Sequence, residues 1–321
     1  MSESLIKEKL RDRVFTLALT IIILSVVLTL VFPGRFATTA NFSQLLLNLS
    51  IDTIVAVGMM VLMISGMFDL SVGSVVAFSG GLAGYLIYYH DVNFMIAIAA
   101  GISGSMVIGV VNGWLIAKVG INPMIQTLAM MGIVRGFALM LSGAGIQNFP
   151  YGFIYIGQSK LLGLQAPVWY MIAIVVLFHI LVSRTVFFRR YYFIGSNEKA
   201  ARMSGIRVER MKMYAFILSA TLAGIAGILL SSRLGAALST SGRGLELRVI
   251  TAVILGGASL TGGYGRIWGA FLGALFMALV NNMLIISRVS GYWQEVILGA
   301  ILIIAVGIDQ WLLKKLGKSS L

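Results

Sequence analysis

A helix needs about 20 residues to cross the hydrocarbon core of a bilayer. This 321-residue sequence carries ten apolar stretches of 16–23 residues, separated by polar or Gly/Pro-marked breaks. They cover residues 14–32, 44–66, 72–89, 94–116, 123–142, 167–183, 213–231, 247–262, 267–286 and 292–313. The expected fold class is therefore all-α: a polytopic membrane protein of about ten transmembrane helices, one domain over 1–321 with a long polar loop at 184–212. The third, sixth and eighth stretches are short enough for a broken or re-entrant helix.

Composition agrees. Hydrophobic residues make up 59% of the chain and charged residues 11%, against about 25% charged in soluble proteins. The formal net charge of +13 has two readings, a nucleic-acid footprint or the basic bias of cytoplasmic loops. Placement separates them. With the N-terminus in the cytoplasm, 17 loop positives fall inside, including Lys7, Lys9, Arg11, Arg13, Lys118, the 184–212 cluster, Arg266, Lys314, Lys315 and Lys318. Six fall outside: Arg35, Lys160, Arg233, Arg243, Arg248 and Arg288. Both termini are thus expected in the cytoplasm, and the charge is topological. The first stretch, at about 19 apolar residues with no small-x-small cleavage site after it, reads as an anchor rather than a signal peptide.

The chain also resembles itself. At a shift of 169 residues Gly101, Ser105 and Gly109 fall on Ala270, Ala274 and Ala278, and Val111, Asn112, Leu115 and Ile116 fall on Val280, Asn281, Leu284 and Ile285. Small residues at every fourth position let helices approach closely in lipid. A looser match sets Ser65-Gly66-x-x-Asp69-Leu70-x-Val72 against Ser241-Gly242-x-x-x-Glu246-Leu247-x-Val249, each an acid just before a short apolar stretch. The matched segments fall on opposite sides of the membrane, so spans 2–5 and 7–10 are expected to be inverted copies related by a pseudo-two-fold axis. Inverted repeats with broken helices at their interface are a transporter architecture.

Eleven acids, two histidines and no cysteine leave little for a metal cluster or an intramembrane catalytic set. The chain is expected not to be an enzyme and to bind no metal; His90 and His179 stand alone at membrane ends. Ion-coupled carriers keep ionisable groups at mid-depth, and here only Asp52 sits clearly inside a span, so a proton-coupled carrier of a small polar solute is the alternative reading. Asp52 lies about 12 Å from the outer end of its helix and Arg135 about 10 Å from that of its own, at 1.5 Å per residue; the matched depths predict a neutralising Asp52–Arg135 pair. The nearest thing to a phosphate loop, 257–262, is followed by Gly263 where lysine is required. Energy must come from a partner.

The loop at 184–212 is the best surface for one. Within 195–206, Asn197 is a good N-cap, Glu198 follows in the first turn, Ala200, Ala201 and Met203 make a compact helix, and Gly205 ends it. Such a helix fits a groove on another protein; the competing reading lays it on lipid headgroups through Arg189, Arg190, Arg202 and Arg207.

At this loop the sequence resembles the permease subunits of the ribose-type bacterial ABC importers, whose coupling loops read much like Asn197-Glu198-x-Ala200-Ala201-x-x-Ser204-Gly205-Ile206. The resemblance extends over nearly the whole chain. Residues 66–74 are similar to the family's Gly-Gly-Ile-Asp-Leu-Ser-Val-Gly-Ser, and Thr127-Leu128, Arg135-Gly136, 246–265 and Asn281-Asn282 also look like family counterparts. The resemblance implies ATPase coupling through Gly195, Asn197, Glu198, Ala200, Ala201, Ser204, Gly205 and Ile206. It also implies a permease that is identical to or closely related to its second copy, two cytoplasmic ATPases that hold ATP and Mg, and an external sugar-binding protein, in a bacterial inner membrane. This chain itself would bind no cofactor. Met67 and Phe68 depart from the family's Gly and Ile, and Arg248 stands where an acid commonly follows Glu-Leu.

Asp69, with Leu70, Ser71 and Gly73, reads either as a cap for the next helix or, as the resemblance implies, as part of a gate; Glu246 has the same two readings. Asn112 and Asn281 are placed to bond across helices or to face a passing solute. Trp114, Trp169, Trp268, Trp293 and Trp311 lie near span ends, as interfacial anchors do, with sugar stacking the alternative for Trp169 and Trp293. The function expected is the pathway-forming subunit of an ATP-driven importer of a small neutral polar solute, a monosaccharide such as ribose.

Overall fold

Polar caps and breakers set where the helices start and stop. In the computed structural model, which describes residues 13–315 and side chains over 14–307, the helices are α1 (Arg13–Val31), α2 (Thr39–Ile64), α3 (Val72–His90), α4 (Phe94–Trp114), α5 (Pro123–Ser142), α6 (Tyr151–Gln158), α7 (Ala166–Arg184), α8 (Val186–Ser196), α9 (Glu198–Met203), α10 (Val208–Leu234), α11 (Leu245–Leu255), α12 (Ile267–Ile286) and α13 (Gly291–Lys315). The side chains of Arg13, Lys314, Lys315 and Trp311, and all of Lys7, Lys9, Arg11 and Lys318, lie outside those described. Thr38 caps α2, Asn93 caps α4, and Asn122 caps α5 with Pro123 at its first position. Left-handed residues end α3 at Asp91 and α10 at Gly235, as such caps commonly do.

Among the described residues eight helices are long and apolar enough to cross a bilayer: α1 to α5, with α4 extended to Val119 by one wide π-type turn, and α7, α10 and α12. Helix α13 runs 25 residues. The third and sixth expected spans are full helices of 19 residues, about 28 Å long. The eighth, 247–262, is not one continuous helix but the broken form that its shortness allowed. Helix α11 stops at Leu255 after 11 residues, about 16 Å, and a loop follows in which Gly257, Gly262, Gly263 and Gly265 all have positive φ. In one dimension an apolar glycine loop has the same hydropathy as a helix end, which is why the boundary was misplaced.

The packing follows the expected repeat. Helix α3 packs on α4 and α5, and α11 packs on α12 and α13. Helix α2 crosses over to α11 and α12, while α10 crosses over to α3 and α4. The two crossing helices pack on each other, and so do α3 and α11. Every one of these contacts survives exchanging α2, α3, α4 and α5 with α10, α11, α12 and α13. With α2, α3, α4, α5 and α7 each long enough to cross, α10 starts on the opposite side from α2, so the copies are inverted.

The small-residue ladder makes this exchange possible. Gly101, Ser105 and Gly109 are buried on α4; a β-carbon on Gly109 would lie 2.7 Å from the Phe216 carbonyl oxygen of α10, and one on Gly224 of α10 would lie 2.6 Å from Ser105 Oγ. Ala270 and Ala274 are likewise buried on α12, where a β-carbon on Gly273 would overlap the Ala252 carbonyl of α11. At the end where α5 and α10 finish, strand β1 (Ile146–Gln147) pairs antiparallel with β4 (Ala236–Ala237). A hairpin of β2 (Lys160–Leu161) and β3 (Leu164–Gln165) leads into α7.

Candidate functional site

Between α2 and α3 the chain leaves helix for residues 65–71. Asp69 is fully buried there. Its Oδ1 accepts hydrogen bonds from the Ser71 amide at 2.8 Å and the Ser71 hydroxyl at 2.6 Å. The Ser71 hydroxyl in turn accepts from Asn112 Nδ2 of α4 at 3.2 Å, and Asn112 Oδ1 accepts from Gln126 Nε2 of α5 at 3.2 Å. Asp69 thus fixes the residue ahead of α3 rather than bonding the amides of its first turn, which is the capping expected of it. Its other oxygen, Oδ2, has no hydrogen-bond partner among the described residues, and neither has Glu246 Oε2 at the start of α11.

These two helix starts touch. A β-carbon on Gly73, in the first turn of α3, would overlap both the Gly242 carbonyl and Glu246 Oε2, and one on Gly242 would overlap the Gly73 carbonyl. The N-termini of α3 and α11, matched in the inverted copies, therefore meet backbone to backbone, with two carboxylates, Asp69 and Glu246, beside them. Helix N-termini carry partial positive charge, so carboxylates are electrostatically suited to this place.

Leu70 is partly buried and packs on the main core. Asn281, set against Asn112 by the repeat, makes no side-chain hydrogen bond among the described residues; its neighbour Asn282 does, exchanging amide bonds with Asn41 of α2 at 2.7 and 3.1 Å. One residue on a helix is a rotation of about 100°, enough to turn Asn281 away from that seam.

The expected Asp52–Arg135 pair does not form. Asp52 pairs with Arg248 of α11, Nε to Oδ2 at 3.3 Å, while Arg233 of α10 donates to Asn48, one turn earlier on α2, at 3.1 Å. Arg135 Nη1 donates instead to the carbonyl oxygens of Ser239 and Ser241 at 2.6 and 2.8 Å, pinning the loop ahead of α11. Matching depth selected two candidates of correct charge, but helix rotation chose Arg248. Exchanging the charges (Asp52→Arg with Arg248→Asp) should recover most of the stability that either single change loses, about 2–3 kcal/mol for a partly buried charged hydrogen bond; thermal unfolding of all four forms measures it, and no recovery in the double variant would rule the pair out.

The second cluster is the loop after α7. Asn197 accepts from the Ala200 amide at 3.0 Å and caps α9. At its far end the Gly205 amide bonds the Arg202 carbonyl and the Ile206 amide bonds the Ala201 carbonyl at 3.1 Å, with Gly205 at φ +80°; this is a Schellman stop. Glu198 binds Arg202 and Lys212, each at 2.8 Å, and Arg202 also binds Glu209, clasping α9 to the base of α10. Partial burial of Glu198 opposes its ionisation, but the bonds from Lys212 and Arg202 outweigh it and hold the carboxyl below its usual range. Ala200 and Ser204 are exposed, whereas Ala201 is buried against the core. Met203, which the sequence placed only in the helix, is 89% exposed and is its most outward apolar group.

Helix α8 carries this unit onto both repeats. A β-carbon on Gly195 would overlap the Ile64 carbonyl at the end of α2 and the Gly263 amide in the loop after α11. The Gly263 amide donates to that same Ile64 carbonyl at 2.8 Å, and the Tyr192 hydroxyl of α8 donates to the Gly265 carbonyl at 2.7 Å. So one glycine contact joins the segment after α7 to the end of α2, ahead of the break at 65–71, and to the loop after α11. Among the described residues no three His, Cys, Asp or Glu side chains gather to hold a metal.

Comparison with known proteins places this arrangement. Residues 41–306 match the family described as branched-chain amino acid transport system / permease component. The chain is 39% identical to the L-arabinose transport system permease protein of Escherichia coli K12 over 282 residues, covering 88% of this chain and 86% of that one. It is 38% identical to the ribose import permease protein of Bacillus subtilis 168 over 298 residues, covering 91% of each, and 32% identical to the D-allose transport system permease protein of E. coli K12, covering 88% and 87%. Two crossing helices, paired helix starts and a capped loop helix carried by α8 thus belong to a membrane permease, and the chain is a member of the branched-chain amino acid transport system / permease component family, of the ribose-importer type.

Proposed function

We propose that this permease forms the pathway by which an ATP-driven importer moves a monosaccharide, an aldose of the class that L-arabinose, D-ribose and D-allose represent. The observation that carries the reading is the Gly195 contact. A partner that moves α9 moves α8 with it, and α8 bears on the end of α2 and the loop after α11, which lead to the two facing helix starts. Asp69, Leu70, Ser71, Gly73, Asn112, Glu246 and Asn281 are the gate and pathway positions in this scheme. Gly195, Asn197, Glu198, Ala200, Ser204, Gly205 and Ile206 shape the coupling unit, Ala201 anchors it, and Met203 presents outward.

The chain performs no chemistry of its own; two cytoplasmic ATPases hold ATP and Mg. A second permease, identical or related, completes the membrane unit, an external sugar-binding protein delivers the solute, and the whole of 1–321 acts as one domain, with 184–212 as its coupling loop, in a bacterial inner membrane with both termini cytoplasmic. A proton-coupled carrier gains no support from Asp52, which lies within α2 and is matched by Arg248. In proteoliposomes holding the complete complex and its binding protein, uptake of aldoses should require ATP and persist when an ionophore collapses the membrane potential. Uptake driven by a proton gradient without ATP would overturn the assignment.

A further inference from the structure

Midway through the membrane, α2 has an open face that carries charge. Asp52 lies at the middle of α2 (Thr39–Ile64), a helix long and apolar enough to cross, yet its side chain is 21% exposed and that of its partner Arg248 is 28% exposed. Lipid does not accept charge at that depth. The open side of the pair therefore faces water. Gln44, Asn48 and Asp52 follow one another at four-residue spacing on one face of α2, Gln44 exposed and Asn48 partly so. This polar row descends from the Thr39 end, opposite the Ile64 end that meets Gly195 of α8. At Asp52 the opening stops, because every residue from Thr53 to Ile64 is buried.

Three helices meet where it stops. Asp52 Oδ2 and Oδ1 accept from Arg248 Nε at 3.3 Å and Nη2 at 3.5 Å, long against the ~2.7–2.9 Å of a tight charged pair. The carboxylate thus keeps room for further donors. One turn nearer the Thr39 end, Asn48 Oδ1 accepts from Arg233 Nη2 of α10 at 3.1 Å, and the Asn48 amide nitrogen makes no side-chain hydrogen bond among the described residues. Arg248 lies in the first turn of α11, two residues past Glu246. The end of the opening therefore adjoins the place where the starts of α3 and α11 face each other.

We propose that Asn48, Asp52, Arg233 and Arg248 form a seat for the solute ahead of the facing helix starts, and that the solute it takes is an aldose. A guanidinium only donates, an ionised carboxylate only accepts, and an amide does both. A sugar hydroxyl also does both, so adjacent hydroxyls can bridge these groups. An anion would meet Asp52 and a cation would meet two guanidinium groups, while an apolar solute would desolvate all four side chains without replacing their bonds to water. The role of the seat rests on the aldose import proposed above.

The test uses the assembled permease–ATPase complex in lipid nanodiscs, without the binding protein. Because the chain has no cysteine, Gln44→Cys places a single thiol in it one turn from Asn48, and intact mass of this chain follows its labelling by a charged methanethiosulfonate. The thiol should label, and L-arabinose, D-ribose or D-allose should slow that labelling saturably where glycerol does not. Ile133→Cys, on the exposed apolar face midway along α5, should not label. Added to the position-44 reporter, Asn48→Ala should raise the half-protecting aldose concentration about fivefold, the factor for a hydrogen bond of about 1 kcal/mol, with labelling in the absence of sugar unchanged. Asp52→Asn should remove protection altogether; if that variant does not elute as the native complex does, Asn48→Ala decides. Position 44 as unreactive as position 133, labelling indifferent to aldoses, protection by L-arabinonate instead, or an unaltered half-protecting concentration in Asn48→Ala would overturn the seat. ATP-driven aldose uptake without protection would overturn the seat alone, whereas protection in a complex that takes up no aldose with ATP would overturn the importer reading alone.

Discussion

Gly195→Ala should cut coupled transport at least about tenfold while leaving the membrane domain folded. Alanine normally favours a helix over glycine by up to about 1 kcal/mol, and Gly195 lies in α8, so intrinsic propensity predicts a small gain. The contact predicts the reverse. The added methyl would overlap the Ile64 carbonyl and the Gly263 amide at once, both of them backbone, so no side chain can swing aside to make room. Overpacking of this kind costs about 1–3 kcal/mol, and it would fall on the contact by which α8 meets the end of α2 and the loop after α11 together. Sugar-stimulated ATP hydrolysis and uptake should drop at least about tenfold, the factor that 1.4 kcal/mol represents. Gly132→Ala in α5, where a β-carbon would meet nothing within 4 Å, is the matched control and should be neutral or slightly stabilising. Equal behaviour of the two variants would show that the contact is not used.

Gly73→Ala is expected to strike the other end of the same linkage. Its methyl would overlap the Gly242 carbonyl and Glu246 Oε2, forcing α3 and α11 apart where the two repeats face each other. Here too the helix preference for alanine is opposed by about 1–3 kcal/mol of overpacking. Uptake should fall about tenfold or more, yet α9 lies far along the chain and keeps its caps, so association with the ATPase should be unchanged. That separation distinguishes it from Gly195→Ala, in which hydrolysis and uptake fall together. A Gly73→Ala protein that transports normally would mean that the helix starts separate freely and form no gate.

Most of the architecture could be read from local signals because membrane helices advertise themselves. Length and hydropathy located α1 to α5, α7, α10, α12 and α13, and Asn197 and Gly205 located both ends of α9, since a cap is a property of a few adjacent residues. The four-residue ladder of Gly101, Ser105 and Gly109 identified the face of α4 that meets α10. What resisted was rotation about helix axes. Depth along α2 made Asp52 a partner for any arginine near mid-membrane, and only the packing of α11 on α2 selects Arg248 over Arg135. The same limit set Asn281 where Asn282 makes the bond. The shortness of the eighth stretch allowed for a break, but the end of α11 at Leu255 was not legible because its glycines join apolar neighbours, and hydropathy does not report φ.

The most direct test of the account uses the absence of cysteine from the natural sequence, which makes any introduced thiol unique in the chain. With Met203→Cys in the assembled complex, a short bifunctional reagent should cross-link this chain to the ATPase subunit, and locking that link should stop ATP-driven uptake. Leu162→Cys, 84% exposed in the β2–β3 turn before α7, lies at the opposite end of that crossing helix and should give no link to the ATPase. A cross-link from position 162 but not from 203, or undiminished uptake after position 203 is locked, would contradict coupling through α9.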